Sequence, residues 1–157
     1  MKKNSTIIVQ EDDNRPPTAF LIGIQHQGDS AEKASELLAE LTELVATLGL
    51  PVVGSQVAKI RIPNPALVIG SGRAEELAQE AAALAAEVII IDDFLTPAQQ
   101  RNWEKVTALP VIDRQEVILD IFAARAHTSE AVLQVELAKA VYALPRLKRR
   151  WTHLSRQ

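Results

Sequence analysis

The side chains best suited to chemistry in this chain are the cationic ones of its last twelve residues. Five of those residues are lysine or arginine and none is acidic, so the rest of the chain has a formal charge of −8 against a total of −3. Guanidinium groups repeated along one helix face, with an aromatic ring nearby, are typical of surfaces that contact RNA. The RNA-binding candidates are Arg146, Lys148, Arg149, Arg150, Trp151, His153 and Arg156.

An apolar stripe on the same predicted helix supports a second interpretation. Its residues recur at alternating steps of four and three, the seven-residue repeat of a helix that packs along a partner helix. The cationic residues would then be only the solvated face of this helix, and composition alone leaves both interpretations open. We expect a helical hairpin of which only the first half is present, or a helix that pairs with a second copy. The predicted seam consists of Leu133, Leu137, Ala140, Leu144, Leu147, Trp151 and Leu154.

Two glycine-containing turns have features of phosphate-binding sites. Gly23 and Gly28 have the spacing of a nucleotide phosphate loop, but Asp29 stands where that loop needs lysine, which favours an ordinary turn. A second turn leads into a predicted helix whose backbone amides could hold an anion, with a tight packing turn as the alternative. The anion or nucleotide candidates are Gly70, Ser71, Gly72 and Arg73.

Catalytic and metal sites are not expected. Asp92 and Asp93 follow an apolar strand and could hold Mg²⁺, but capping or turn roles are favoured because no partner residues can be placed. His26, His127 and His153 are far apart in sequence, and there is no cysteine, so we expect no metal site and no disulfide. The absence of a phosphate loop predicts that this chain by itself is not an enzyme.

Between the two ends, strand-length apolar runs alternate with helical patterns. This order predicts an α/β fold, a small mostly parallel sheet flanked by helices and followed by a long C-terminal helix. We expect strands at 19–24, at 87–91, at 109–112 and from residue 52. The last helix is expected from Thr128 or Ser129, with Pro145 inside it. The predicted organisation is a flexible tail at 1–17, an α/β domain at 18–127 and the start of a helical hairpin at 128–157.

Helix starts and inward faces are also predicted. Asp29 with Glu32, and Thr96 with Gln99, have the spacing of a capping box. The helix after Asp113 is expected to turn four apolar residues inward. These are Val117, Ile118, Ile121 and Phe122. No apolar run reaches the length of a membrane span and the N-terminus lacks a secretory signal, so a cytoplasmic protein is expected.

Several segments, in this order, resemble the N-terminal region of the HflX family of ribosome-associated GTPases. They are IGSGRAEEL, IDDFLTPAQQRNWE, VIDRQEVILDIFAARAHT, LQVELA and LPRLKRRWTHLSRQ, and together they span most of the chain after residue 68. The chain departs from the usual family pattern at three positions. These are Arg73, where lysine is usual, Phe94 and Trp103.

The resemblance implies a function larger than this chain can perform alone. Family members continue into a returning antiparallel helix and a GTPase domain that uses GTP and magnesium; no cofactor is expected here. The family docks on the large ribosomal subunit and splits or rescues stalled ribosomes. The resemblance therefore implies ribosomal RNA, the return helix and the GTPase domain as partners. A stand-alone ATP- or nucleotide-binding domain and a homodimer formed through the last helix are the alternatives.

Overall fold

Strands and helices alternate along the described part of the chain. The structure, a computed structural model, describes the backbone of residues 15–154 and the side chains of 15–147, so most of the predicted tail at 1–17 lies outside it. The elements are β1 (Ala19–Gln25), α1 (Ala31–Thr47), β2 (Val52–Lys59), α2 (Ser71–Ala83), β3 (Val88–Asp92), α3 (Pro97–Thr107), β4 (Val111–Asp113), α4 (Arg114–Arg125) and α5 (Ser129–Leu154).

The four strands form one parallel sheet in the order β2-β1-β3-β4. Both faces of the sheet are covered, which is why β1 and β3 are almost uniformly apolar. Phe20 and Ile22 face one core, with α2 and α3, whereas Ala19 and Leu21 face the other, with α1 and α4. The predicted α/β class, with a parallel sheet and a long last helix, is confirmed.

The starts of the helices follow local capping chemistry. Thr96 and Gln99 form the predicted capping box of α3, with Pro97 in the first turn. The prediction for α1 was wrong by one residue: Ser30 is the cap, and its hydroxyl accepts from the amide of Lys33. Asp29 instead accepts a hydrogen bond from the Lys33 ammonium at 2.6 Å, so an ion pair replaces its predicted capping role. The ordinary turn predicted between Gly23 and Asp29 is present, because the amide of Asp29 donates to the carbonyl of His26 at 3.1 Å.

Two large aromatic side chains differ sharply in burial. Trp103 is fully buried, and its indole N–H donates to the carbonyl of Leu67 at 2.8 Å. Phe122 was expected to point inward, but it is 54% exposed because Val117 and Ile121 are the residues that α4 turns toward the sheet. Phe122 lies instead beside the groove between α4 and α5.

The first described residues are tied to the sheet rather than free. Arg15 forms an ion pair with Glu87 at 2.6 Å, and the hydroxyl and amide of Thr18 both donate to the same carboxylate. Arg15 and Thr18 hold the pKa of Glu87 below its usual range. Within residues 15–154, no helix combines the length and apolar character that crossing a membrane requires.

Candidate functional site

The long helix α5 is held against the domain by a buried polar cluster, which we call the anchor cluster. Three acids, Asp113, Glu116 and Asp120, follow one another at steps of three and four residues, and all are at most 8% exposed. Three donors of α5 have the same spacing. They are Lys139, Tyr142 and Arg146. Side chains three and four residues apart lie on the same face of a helix. The row of acids and the row of donors therefore face each other when α4 and α5 pack antiparallel.

Each acid of the anchor cluster meets a donor of α5 in reverse chain order. The Lys139 ammonium lies 2.8 Å from Asp120 Oδ1. The Tyr142 hydroxyl lies 3.0 Å from Asp113 Oδ1 and 3.3 Å from Glu116 Oε2. At the far end, Arg146 Nη2 lies 3.7 Å from Asp113 Oδ2. The pairing therefore fixes both the position and the direction of α5 on α4.

Arg146 connects α5 to two further elements. Its Nη2 donates to the carbonyl of Leu95 at 2.7 Å, and its Nε donates to Gln100 Oε1 at 2.7 Å. Its guanidinium carbon lies 3.6 Å from the centre of the Tyr142 ring, within the range of a cation–π contact. Charge-assisted bonds of this kind are stronger than neutral ones, so Arg146 joins α5 to the β3–α3 loop and to α3.

Burial changes the acid–base behaviour of the anchor cluster. Loss of solvent, reinforced by the negative charges of Asp120 and Asp113, raises the pKa of Glu116 from 4.5 to about 7. Burial also raises the pKa of Tyr142, reinforced by the negative charges of Glu116 and Asp113. Tyr142 therefore stays a neutral hydroxyl donor, while Glu116 changes charge near neutral pH.

The direction of α5 determines which end of the molecule carries its last residues. Asp113 lies at the end of β4, and α4 runs back from it against the strand direction. Because α5 is antiparallel to α4, it runs parallel to the strands and passes Leu95 at their carboxyl edge. The helical residues after Arg146 therefore leave the domain at the edge where open α/β sheets bind ligands.

The predicted RNA-binding residues fall into two groups. Arg146 is the described member: its guanidinium is bound by groups of this chain and 19% of its side chain is exposed, so it supports the helix, and its contact with RNA stays a prediction. The others lie beyond it on α5 or after it, and their side chains lie outside the described residues. They are Lys148, Arg149, Arg150, Trp151, His153 and Arg156.

Most of the described part of the predicted helix-partner seam lies on the side of α5 away from α4, while Leu147 also borders the cavity between α3, α4 and α5. Leu133, Leu137, Leu144 and Leu147 are between 48% and 66% exposed, and Ala140 is exposed as well. Trp151 and Leu154 lie where side chains are not described. We call the described part, Leu133 to Leu147, the apolar ridge. Its five residues continue in phase past Pro145, which lies inside the helix.

The predicted anion site is the start of α2. Gly70 is the cap residue in extended conformation without a side-chain capping bond, and Arg73 is paired with Glu76 at 3.0 Å. A methyl group added at Gly70 or Gly72 would touch nothing within 4 Å, so close packing does not require glycine there. Ser71 begins the helix. These observations leave the anion interpretation a prediction.

Both acids at the end of β3 have basic partners. Arg114 binds Asp92 at 2.8 Å and Glu40 at 2.6 Å, while His26 lies 2.9 Å from Asp93. Burial raises the pKa of Asp92 despite its bond to Arg114. Among the residues that the structure describes, no group of three or more histidines and acids is arranged to hold a metal ion.

Sequence reasoning missed the anchor cluster. The available signal was the pair of matching spacings, acids at 113, 116 and 120 and donors at 139, 142 and 146. Each row alone is unremarkable on a helix surface. The match between them becomes informative only if α4 and α5 are assumed to pack antiparallel.

Comparison with known proteins agrees with this architecture. Residues 35–123 match the family model described as GTP-binding GTPase N-terminal, and residues 125–157 match the model described as GTP-binding GTPase Middle Region. A GTPase HflX from Akkermansia muciniphila is 44% identical over 139 residues, covering 88% of this chain and 32% of the relative. One from Flavobacterium psychrophilum is 45% identical over 138 residues, covering 88% and 33%.

A solved structure shares the fold. It is a GTP-binding protein from the hyperthermophilic archaeon Sulfolobus solfataricus in complex with GDP, with a TM-score of 0.60 and 23% identity over 86% of this chain and 40% of that one. The chain spans about a third of the length of the curated relatives it matches. Since the N-terminal family model alone matches more than half of the sequence, this chain belongs to the HflX family of GTPases, as its N-terminal and middle regions.

Proposed function

We propose that this chain is the ribosome-docking part of an HflX-like GTPase. In this proposal the cationic end of α5 binds ribosomal RNA of the large subunit, in the cytoplasm, during ribosome splitting or rescue. The observation that carries it is the anchor cluster, which fixes α5 so that its cationic residues leave the domain at the carboxyl edge of the sheet. The curated relatives are named GTPases, and GTP hydrolysis would belong to the rest of such a protein.

Charge distribution supports RNA as the partner. The body of the chain is acidic, which disfavours binding to nucleic acid over the whole surface, whereas the end of α5 is cationic. Attachment of α5 through buried groups lowers the entropy lost when the helix binds, because its direction is already set. Docking should therefore occur through one end of the molecule and in one orientation.

The test is co-sedimentation with purified large ribosomal subunits at a series of salt concentrations. The double variant Arg149→Glu and Arg150→Glu should bind more weakly and with a shallower salt dependence. Each phosphate contact contributes about 0.7 to 0.9 to the slope of log affinity against log salt, so the loss of two contacts should lower the slope by about 1.4 to 1.8. Arg146 is left unchanged because reversing its charge would disrupt the anchor cluster.

A matched control has the same change in net charge elsewhere. Lys105 and Arg125 are exposed at the ends of α3 and α4, at the opposite edge of the sheet. The variant Lys105→Glu and Arg125→Glu should retain the wild-type slope. Equal binding by the two double variants would refute docking through the end of α5.

A second function, pairing of α5 with another helix, is favoured by the exposure of the apolar ridge. Leucines repeated along one face of a helix and left in water form a patch that associates readily. A returning helix of the same protein or α5 of a second copy has the chemistry to cover it. This pairing is compatible with RNA docking because the described ridge precedes the cationic residues in the chain.

A further inference from the structure

An exposed aromatic ring lies at the carboxyl edge of the sheet, next to the point where α5 leaves the domain. Phe94, in the loop between β3 and α3, is 65% exposed, while the adjacent Leu95 is only 4% exposed. The chain therefore buries Leu95 and leaves Phe94 in water. Isolated exposed rings are common on protein surfaces, so the case for a role depends on what surrounds this one.

The loop that carries Phe94 is held rigidly by side chains. The amide of Phe94 donates to Asp93 Oδ1 at 2.8 Å, and the amide of Leu95 donates to Asp113 Oδ2 at 3.0 Å. The next amide, of Thr96, donates to Gln99 Oε1 at 2.9 Å. Because three consecutive amides are bound, the backbone cannot turn to bury the ring without breaking these bonds. A ring presented in this way loses little entropy when a flat partner stacks on it.

The same loop contacts α5 directly. The carbonyl of Leu95 accepts from Arg146 Nη2 at 2.7 Å, so Phe94 is adjacent in sequence to a residue that binds the anchor cluster. From Arg146 to Leu154 the helix continues for eight residues, or about 12 Å at 1.5 Å per residue. The ring and the cationic segment are thus neighbours at one end of the molecule.

The acids at this edge have partners within the chain, which limits their repulsion of a polyanion. Asp92 is bound by Arg114 at 2.8 Å, and Arg114 also pairs with Glu40 at 2.6 Å. Asp93 is in hydrogen-bond contact with His26 at 2.9 Å, and Asp113 is close to Arg146. The N-termini of α1 to α4, the positive ends of their helix dipoles, also lie at this edge because every strand is parallel.

We infer that Phe94 is a stacking platform for an unpaired RNA base, beside the point where α5 leaves the domain. The inference rests on the proposed function and adds a contact that is not electrostatic. Aromatic rings accept bases of any sequence, because every base has a flat face. The cations would hold the RNA backbone while Phe94 holds a splayed-out base.

The test compares Phe94→Ala with Phe122→Ala in binding to large subunits at fixed salt. Phe122 is a suitable control because it is also a phenylalanine, 54% exposed, near the end of α4 at the opposite edge of the sheet. We expect Phe94→Ala to weaken binding by about five- to a hundredfold, the range for loss of one stacked base. Phe122→Ala should bind as the wild type does, and Phe94→Trp should retain affinity.

Two readouts separate stacking from other effects. The salt slope of Phe94→Ala should equal that of the wild type, since the ring carries no charge. A photo-crosslinking phenylalanine analogue at position 94 should attach to ribosomal RNA, whereas one at position 122 should not. Attachment at 94 mainly to ribosomal protein, or wild-type affinity for Phe94→Ala, would overturn the inference.

The outcomes also distinguish this inference from the proposed function. If reversing the charges of Arg149 and Arg150 weakens binding while Phe94→Ala has no effect, only the stacking role of Phe94 is refuted. If neither change affects binding, the docking proposal fails as well. Because Phe94 is exposed, its replacement should leave the free energy of unfolding nearly unchanged, so a loss of affinity cannot be attributed to loss of the fold.

Discussion

At the scale of single residues, Glu116 makes stability depend on pH in an unusual direction. Its pKa is about 7 in the folded protein and 4.5 in the unfolded chain. The folded state therefore binds more protons between pH 4.5 and 7, and the free energy of unfolding falls as pH rises through that window. Above about pH 7 the loss is complete. Most structural carboxylates have the opposite effect, because ion pairs lower their pKa.

The substitution Glu116→Gln should remove this pH dependence. The neutral amide keeps an oxygen to accept from Tyr142 but carries no buried charge. Relative to the wild type, the variant should gain on the order of 2–3 kcal/mol in free energy of unfolding between pH 4.5 and 8. Urea unfolding of both proteins at pH 4.5, 6 and 8 measures the difference.

Glu43→Gln is the control for this experiment, because Glu43 is exposed on α1. The difference in free energy of unfolding between Glu43→Gln and the wild type should stay constant over the same pH range. A constant difference between Glu116→Gln and the wild type would show that the pKa of Glu116 is the same in the folded and unfolded states.

At the scale of elements, α5 has two faces with different tasks. Val135, Lys139 and Tyr142 face the domain, and the apolar ridge lies on the other side. The inward face is attached mainly by polar groups, while the outward face is apolar, the reverse of a typical surface helix. We therefore expect the outward face to contact something other than the domain that carries it.

Polar substitutions in the apolar ridge should reduce association and leave folding intact. We expect wild-type chains to form dimers as concentration rises, and Leu137→Gln with Leu144→Gln to remain monomeric. The free energy of unfolding should change by less than about 0.5 kcal/mol, because both leucines are more than half exposed. Sedimentation equilibrium over a hundredfold concentration range measures the association.

The inward face supplies the comparison. Val135→Gln, on the side of α5 turned toward α4, should destabilise the fold without abolishing association. Wild-type protein that remains monomeric at every concentration would exclude a second copy as the partner of the ridge.

Local sequence specified the elements better than their arrangement. The capping box of Thr96 and Gln99 predicted the start of α3 correctly, because both residues lie within one helical turn. The position of α5 could not be read in the same way, since Tyr142 and Arg146 bind groups 26 to 51 residues earlier in the chain. Gly54 was overlooked for a similar reason. A methyl group there would lie 2.6 Å from Leu84, a contact that only the packed structure reveals.

At the scale of the whole molecule, Arg146 couples α5 to the sheet domain. Arg146→Ala removes bonds to Leu95 and Gln100 and leaves buried Asp113 without its nearest cation. We expect a loss of about 2–3 kcal/mol, less than for a fully buried ion pair because Arg146 is partly exposed. Amides of α5 after Tyr142 should exchange faster with deuterium, while those of β1 and β3 keep their protection.

Arg125→Ala, an exposed change at the end of α4, should leave the exchange pattern of α5 unaltered. If Arg146→Ala also leaves that pattern unaltered, the contacts of α5 with α4 are sufficient without Arg146. Arg146→Ala should also bind large subunits less well, because the cationic segment would no longer point in one direction. Our proposal assigns the RNA contacts to residues after Arg146, so this loss would come from the orientation of α5.

Asp113 ends the shortest strand, caps α4, accepts from the amide of Leu95 and accepts from Tyr142. Four parts of the chain meet at two oxygen atoms, and no other side chain of that size offers two acceptors and a negative charge. Asparagine would turn one acceptor into a donor facing a donor. Over evolutionary time this position should tolerate no gradual substitution, since any replacement needs simultaneous changes at the start of α4 and in two distant segments.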